Sequence, residues 1–289
     1  MKKLLQFINK VARLVNTILD TFFITVTELG SELFYMIFLP PIFWCLNKKF
    51  GFRLFFITLL AGYFTALVKN ITSSPRPPEK HWMVEPESSS FPSGHAMGPT
   101  SMWGYIIVKL KHQIILIIGI SIIILVSISR LYLGVHYPID ILGGLVFGIG
   151  LVIGFIYFEP ALSEQINNLN FSQKIILSLI IPLILAGLAY LTLPGDIRAI
   201  SGSGALLGIC LGYVVESRIN NFVVKGNLFQ KIYRVIIGFL VTFIIFFGIY
   251  SLIPKTEFWY FILALTGGIC ITLIAPIVFT NLEHSAITK

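Results

Sequence analysis

The sequence predicts an all-α fold, a polytopic transmembrane helical bundle with about nine spans and an amphipathic interfacial helix at its N-terminus. Three observations carry this. Hydrophobic residues make up 56% of the chain and charged residues only 12%, with a mean hydropathy of +0.89, a composition foreign to a soluble domain of 289 residues. Apolar runs near or above spanning length recur from one end to the other. These runs are continuous and do not alternate, which favours helices over a membrane barrel.

The elements follow in order. Residues 4–19 place Leu4, Leu5, Ile8, Val11, Ala12, Val15 and Ile18 at helical spacing, with Lys10, Arg13 and Asn16 elsewhere, the pattern of a helix lying in the headgroup layer. Lys10 and Arg13 also interrupt any apolar signal core, so no cleavable signal peptide is expected. Spans are expected at 31–46, 52–70, 95–110, 113–130, 138–158, 174–193, 199–215, 233–252 and 257–280, the Gly-rich stretch 199–215 being the weakest. Residues 159–173 form a polar break. It divides a motif-bearing part, residues 1–160, from an appended set of transmembrane helices, residues 161–289. Cys45, Cys210 and Cys270 stand isolated inside apolar runs, with neither a disulfide framework nor metal-ligand spacing.

Charge predicts orientation. One set of connections holds Lys48, Lys49, Arg53, Lys109, Lys111, Lys174, Arg218, Lys225, Lys231 and Arg234. The opposite set holds Arg76, Lys80, Arg130, Arg198 and Lys255, diluted by Glu79, Glu85, Glu87, Asp196 and Glu257. The richer set is assigned to the cytoplasm. The N-terminal helix, with Lys2, Lys3, Lys10 and Arg13, then lies outside, against the trend. The net charge of +8 is read as cytoplasmic loops and lipid headgroup contacts, not as a nucleic-acid surface. The setting is a cell (inner) membrane, or an internal membrane with the outer face turned to a lumen.

Three polar stretches sit where apolar runs end, all on the extracytoplasmic side of this scheme: Lys69-x6-Arg76-Pro77, Pro92-Ser93-Gly94-His95 and Ser129-Arg130-x5-His136-x3-Asp140. Lys69 alone would be a snorkelling anchor. Arg76 between two prolines has a restricted backbone, suited to holding a guanidinium for bidentate phosphate binding. Ser93 is placed to N-cap the next helix, where Gly94 and the first backbone N–H groups make an anion site with His95 beside it. His136 and Asp140 are four apart, so on a helix they share a face, and a carboxylate on one imidazole nitrogen raises the basicity of the other. A metal reading of the pair lacks further ligands, and Ser93 lacks a nucleophile-elbow sequence. His81, His112 and His284 lie in loops or the tail.

In order and spacing the three stretches resemble the signature of the type 2 phosphatidic acid phosphatase superfamily, over roughly residues 52–158. The resemblance implies His136 as a nucleophile forming a phosphohistidine, with Asp140 as its partner. It implies His95 as general acid and then general base, and Lys69, Arg76, Ser93, Gly94 and Arg130 as the phosphate cradle. No metal and no cofactor are implied. The run Ser93 to Gly98 is also similar to glucose-6-phosphatase.

The expected activity is therefore release of phosphate from a lipid phosphate or diphosphate of the phosphatidate, phosphatidylglycerophosphate, undecaprenyl diphosphate or sphingoid phosphate class, with the bilayer as the other partner. A soluble sugar phosphate as substrate, phosphoryl transfer to another headgroup, and transport without catalysis are the alternatives. A transporter would account for the spans and for Gly143, Gly144, Gly148 and Gly150, but would not require these cations and histidines on one face.

Overall fold

A computed structural model of the protein describes residues 2–86, 88–193, 195–252 and 254–287, with side chains from residue 15 to residue 283. Among them there is no strand. Eleven α-helices run in order: α1 (Lys2–Thr27), α2 (Glu32–Cys45), α3 (Lys48–Thr72), α4 (Gly94–Leu110), α5 (Gln113–Tyr132), α6 (Pro138–Asn168), α7 (Phe171–Thr192), α8 (Ile197–Ile219), α9 (Leu228–Tyr250), α10 (Glu257–Ile269) and α11 (Ala275–Ile287). A π-helical turn, Cys270–Ile274, joins the last two.

Each expected span is helical, but not each is long enough to cross a bilayer. Among the described residues seven helices are long and apolar enough, or eight if the bent pair Val15–Gly30 and Glu32–Cys45 counts as one span. The two that fall short are α2 and α4, with 14 and 17 residues, roughly 21 and 25 Å of rise against a hydrocarbon core of about 30 Å. Helix α2 stops where the Leu46 and Asn47 N–H groups both turn back to Ile42 O. Helix α4 stops where Lys111 adopts a left-handed conformation. Helix α1 continues past the expected boundary at residue 19 to Thr27. Val15 and Ile18 are exposed. The rest of the expected apolar face, Leu4, Leu5, Ile8, Val11 and Ala12, lies outside the described side chains, as does His284.

The chain divides into two compact units, Met1–Tyr35 with Thr72–Ile149, and Met36–Ile71 with Gly150–Lys289. In the first, α1 packs on α5 and α4 on α5. Gly144 and Gly148 let α6 approach α4, since a Cβ at either would press on Ser93 O or Thr100. Tyr132 stacks on Phe23 and donates to Asp20 Oδ1 at 2.7 Å, fastening the end of α5 to α1.

In the second unit α8 lies against α10. Gly204, Gly208 and Gly212 recur every fourth residue, and a Cβ at the first two would collide with the Phe261 and Leu265 carbonyls. The weakest expected span thus makes a close helix contact: small residues lower its apolar content and permit the approach. The cores of α7 and α9 start from capping boxes, Asn170 with Gln173 and Asn227 with Gln230. Trp44 Nε1 donates to Ile271 O in the π turn at 2.8 Å. At one end Lys48 pairs with the fully buried Glu216, which also accepts from Phe222 N. There too Arg234 forks onto Glu283 through bonds of 2.7 and 2.9 Å. Cys45 and Cys270 are buried and Cys210 half-buried, all as free thiols.

Candidate active site

The site is built where α5 ends, α6 begins and the loop 73–93 folds over them. Helix α6 starts with Pro138, which suits the first helical position because its missing N–H is not needed there. Asp140 is the third helical residue, and its Oδ2 turns back to accept Tyr137 N at 2.8 Å, half of a capping box. His136 therefore precedes the helix and does not ride on it. The pair that the spacing places on one helix face meets across a helix start instead, with Nδ1 of His136 at 3.3 Å from Asp140 Oδ2. Both side chains are buried.

The other imidazole nitrogen faces a cation: His136 Nε2 lies 3.3 Å from Arg76 Nη1. Arg76 is fixed by carbonyls. Its Nε donates to Ser88 O at 2.6 Å, Nη1 to Val135 O at 2.6 Å and Nη2 to Ser89 O at 3.3 Å. One guanidinium thus ties the Ser88-Ser89 backbone to the strand of chain that carries His136. The loop is held further by Ser90 N to Ser74 O, Thr72 Oγ1 to Phe91 O and Met83 N to Leu133 O, at 2.9, 3.0 and 3.0 Å. Gly134, at φ +70, lies against the His81 carbonyl so closely that any Cβ would collide with it.

Ser93 occupies the N-cap position of α4, as expected, but its hydroxyl makes no capping bond. Its Oγ is buried without a hydrogen-bond partner among the described residues, while its N–H donates to Asp140 O at 2.9 Å. That backbone bond fixes the start of α4 to the start of α6, with Gly94 and His95 in the first turn. Arg130, in the last turn of α5, is buried and donates through Nη1 to Thr27 Oγ1 of α1 at 2.9 Å. Arg76, Ser93, Gly94, His95, Arg130, His136 and Asp140 all belong to the first unit, where Arg76, His136 and Asp140 meet through their side chains and Ser93 joins Asp140 through its backbone. Lys69 belongs to the second unit, half-buried in the last turn of α3.

Two contributors were not singled out by sequence. Ser90, fully buried, donates to Asp140 Oδ2 at 2.5 Å and lies 3.4 Å from His136 Nδ1. Thr27 receives Arg130. The only signal for Ser90 was the run Ser88-Ser89-Ser90 just ahead of Pro92-Ser93-Gly94-His95, and for Thr27 there was none.

A buried imidazole thus lies between a carboxylate and a guanidinium in a protein whose helices are long and apolar enough to cross a membrane. Comparison with known proteins makes the assignment narrower. The PAP2 superfamily model matches residues 50–164, and that of the PAP2 superfamily phosphatase transmembrane extension matches residues 200–286. The chain belongs to the PAP2 superfamily. It is 34% identical over 220 residues to sphingosine-1-phosphate phosphatase 1 of Rattus norvegicus, covering 70% of this chain and 50% of that protein. It is 42% identical over 101 residues to phosphatidylglycerophosphatase B of Bacillus subtilis, covering 32% and 47%. The chain thus spans about half the length of the curated relatives it matches. A crystal structure of a transmembrane PAP2-type phosphatidylglycerolphosphate phosphatase from Bacillus subtilis aligns with a TM-score of 0.44 and 27% identity, over 50% of this chain and 77% of that one.

Proposed function

We propose that the protein is an integral-membrane phosphatase that hydrolyses a lipid phosphate or diphosphate through a phosphohistidine at His136. The observation that carries this reading is the position of His136, with Nδ1 toward Asp140 and Nε2 toward Arg76. A nucleophilic imidazole needs a carboxylate behind it, and the phosphoryl group it attacks needs cations in front. In this reading Arg76, Ser93, Gly94 and Arg130 of the first unit bind the phosphoryl oxygens. His95 protonates the leaving oxygen and later deprotonates water. Residues 1–160 carry the chemistry and residues 161–289 add transmembrane helices. The names of the relatives favour lipid substrates, the sphingoid phosphate and phosphatidylglycerophosphate classes first among them. The excess of Lys and Arg on the opposite connections favours an extracytoplasmic site.

In this reading Arg76 and Arg130 supply the positive charge that the phosphoryl group needs, so metal-independent turnover is expected. The test is phosphate release by purified protein from sphingoid phosphate, phosphatidate, phosphatidylglycerophosphate, undecaprenyl diphosphate and a sugar phosphate, with and without chelator. Hydrolysis of at least one lipid at an unchanged rate in chelator is the expected result. Preference for the sugar phosphate, or activity restored only by a divalent ion, would overturn the reading. Orthovanadate, a mimic of the five-coordinate transition state, should inhibit competitively and bind more tightly than phosphate.

A further inference from the structure

We propose that Ser90 is a positioning residue for the reaction, acting through Asp140. This rests on the reading of His136 as the nucleophile. Three donors face one carboxylate oxygen: Asp140 Oδ2 lies 2.5 Å from Ser90 Oγ, 2.8 Å from Tyr137 N and 3.3 Å from His136 Nδ1. The Tyr137 bond is backbone and fixes the carboxylate to the start of α6. The Ser90 bond is the only one of the three that comes from the loop 73–93, so it ties the carboxylate to the segment that Arg76 also grips through Ser88 and Ser89.

Ser90 also decides which imidazole nitrogen carries the proton. Its proton is committed to Asp140, so toward His136 Nδ1, 3.4 Å away, its oxygen presents a lone pair. Two acceptors, Ser90 Oγ and Asp140 Oδ2, then face Nδ1, and the ring proton belongs there. Nε2 keeps its lone pair, held 3.3 Å from Arg76 Nη1, where a phosphoryl oxygen paired to the guanidinium brings phosphorus within reach. In the step this serves, Nε2 forms a bond to phosphorus as the P–O bond to the leaving group breaks. The leaving oxygen takes that electron pair and a proton from His95. Nδ1 keeps its proton throughout, and the charge gained by the ring is offset by Asp140.

A hydroxyl that acts only through Asp140 must lose its effect when Asp140 is gone, and a double-mutant cycle reads this directly. With the best lipid phosphate from the panel, Ser90→Ala should lower kcat about tenfold to a hundredfold, the scale of one hydrogen bond to a charged group. KM and the vanadate inhibition constant should stay within about threefold, because Ser90 touches the carboxylate and not the phosphate. Ser90→Cys, similar in shape but a weaker donor, should fall between. Asp140→Ala should be more severe, and adding Ser90→Ala to it should cost less than about twofold more. Ser90→Ala within twofold of the parent, or full losses that multiply in the double variant, would refute the inference. So would vanadate binding that fails together with kcat, or failure of both Ser90 variants to fold, since each marks a general structural role. Inactivity of the parent protein on every lipid, or full activity of His136→Ala, would instead overturn the functional reading itself.

Discussion

His136 has neighbours that give its two nitrogens different work, and this makes the histidines separable by experiment. Replacing His136 with Ala should abolish both turnover and the acid-labile phosphoenzyme trapped by rapid quench. Replacing His95 with Ala should slow turnover of a lipid substrate but still allow the phosphoenzyme to form from an ester with a good leaving group, which needs little protonation. Near-normal turnover in His136→Ala would show that another group attacks phosphorus. Sequence made these residues legible because their chemistry is rare in an apolar chain: a Lys, Arg or His at a span edge stands out. Ser90 was not legible, because serine in a Ser-rich loop is ordinary and its role exists only once Asp140 folds back over it. Nor did sequence show that Arg76 is gripped by the Ser88, Ser89 and Val135 carbonyls, because backbone acceptors leave no mark in residue type.

Among the helices, α8 and α1 carry the clearest consequences. A Cβ at Gly208 would collide with Leu265 O, whereas Gly150 has open space around it. Gly208→Val should lower stability by about 1–3 kcal/mol or more, seen as a fall in the thermal midpoint in detergent, while Gly150→Ala should be neutral. Most helix starts were legible from apolar runs to within a few residues, but α1 and α6 run eight and ten residues past their expected ends at 19 and 158, to Thr27 and Asn168, because polar residues end an apolar run without ending a helix. The closeness of α8 to α10 was hidden, because glycine lowers the very hydrophobicity by which spans are found. Helix α1 reaches the candidate site through Thr27. Thr27→Val keeps the shape but removes the acceptor for Arg130 Nη1, and so should raise KM or the vanadate inhibition constant about threefold to tenfold. An unchanged constant would mean that Arg130 does not need α1.

For the whole molecule, the asymmetry of basic residues makes a prediction about sides. In a background with Cys45, Cys210 and Cys270 replaced, single cysteines at the exposed Glu85 and Lys225 can be probed in intact cells. An impermeant thiol reagent should label the first and spare the second. The reverse pattern would put the site in the cytoplasm and its substrate in the inner leaflet, since a charged headgroup crosses hydrocarbon poorly. At the end carrying Lys48, the buried Glu216 pairs with that lysine, so Glu216→Gln, which leaves the lysine without its counter-charge, should cost about 3–5 kcal/mol while leaving the chemistry at His136 intact in whatever protein remains folded.

The π turn at Cys270–Ile274 gives the last helix pair an unusual tolerance to changes in chain length. A π turn is an α-helical turn with one residue inserted, and the residues on either side keep the facing they would have without it. Removing Leu273 should therefore let the segment close into continuous α-helix while Leu263 and Phe279 stay inward, and protein lacking that residue should still assemble. The same deletion within α8 has no such slack: it would turn everything beyond it by about 100° and carry Gly208 or Gly212 off the contact they make possible. Shortening by one residue is thus absorbed at one place in the bundle and ruinous at its neighbour, so natural variation in length should collect at the π turn.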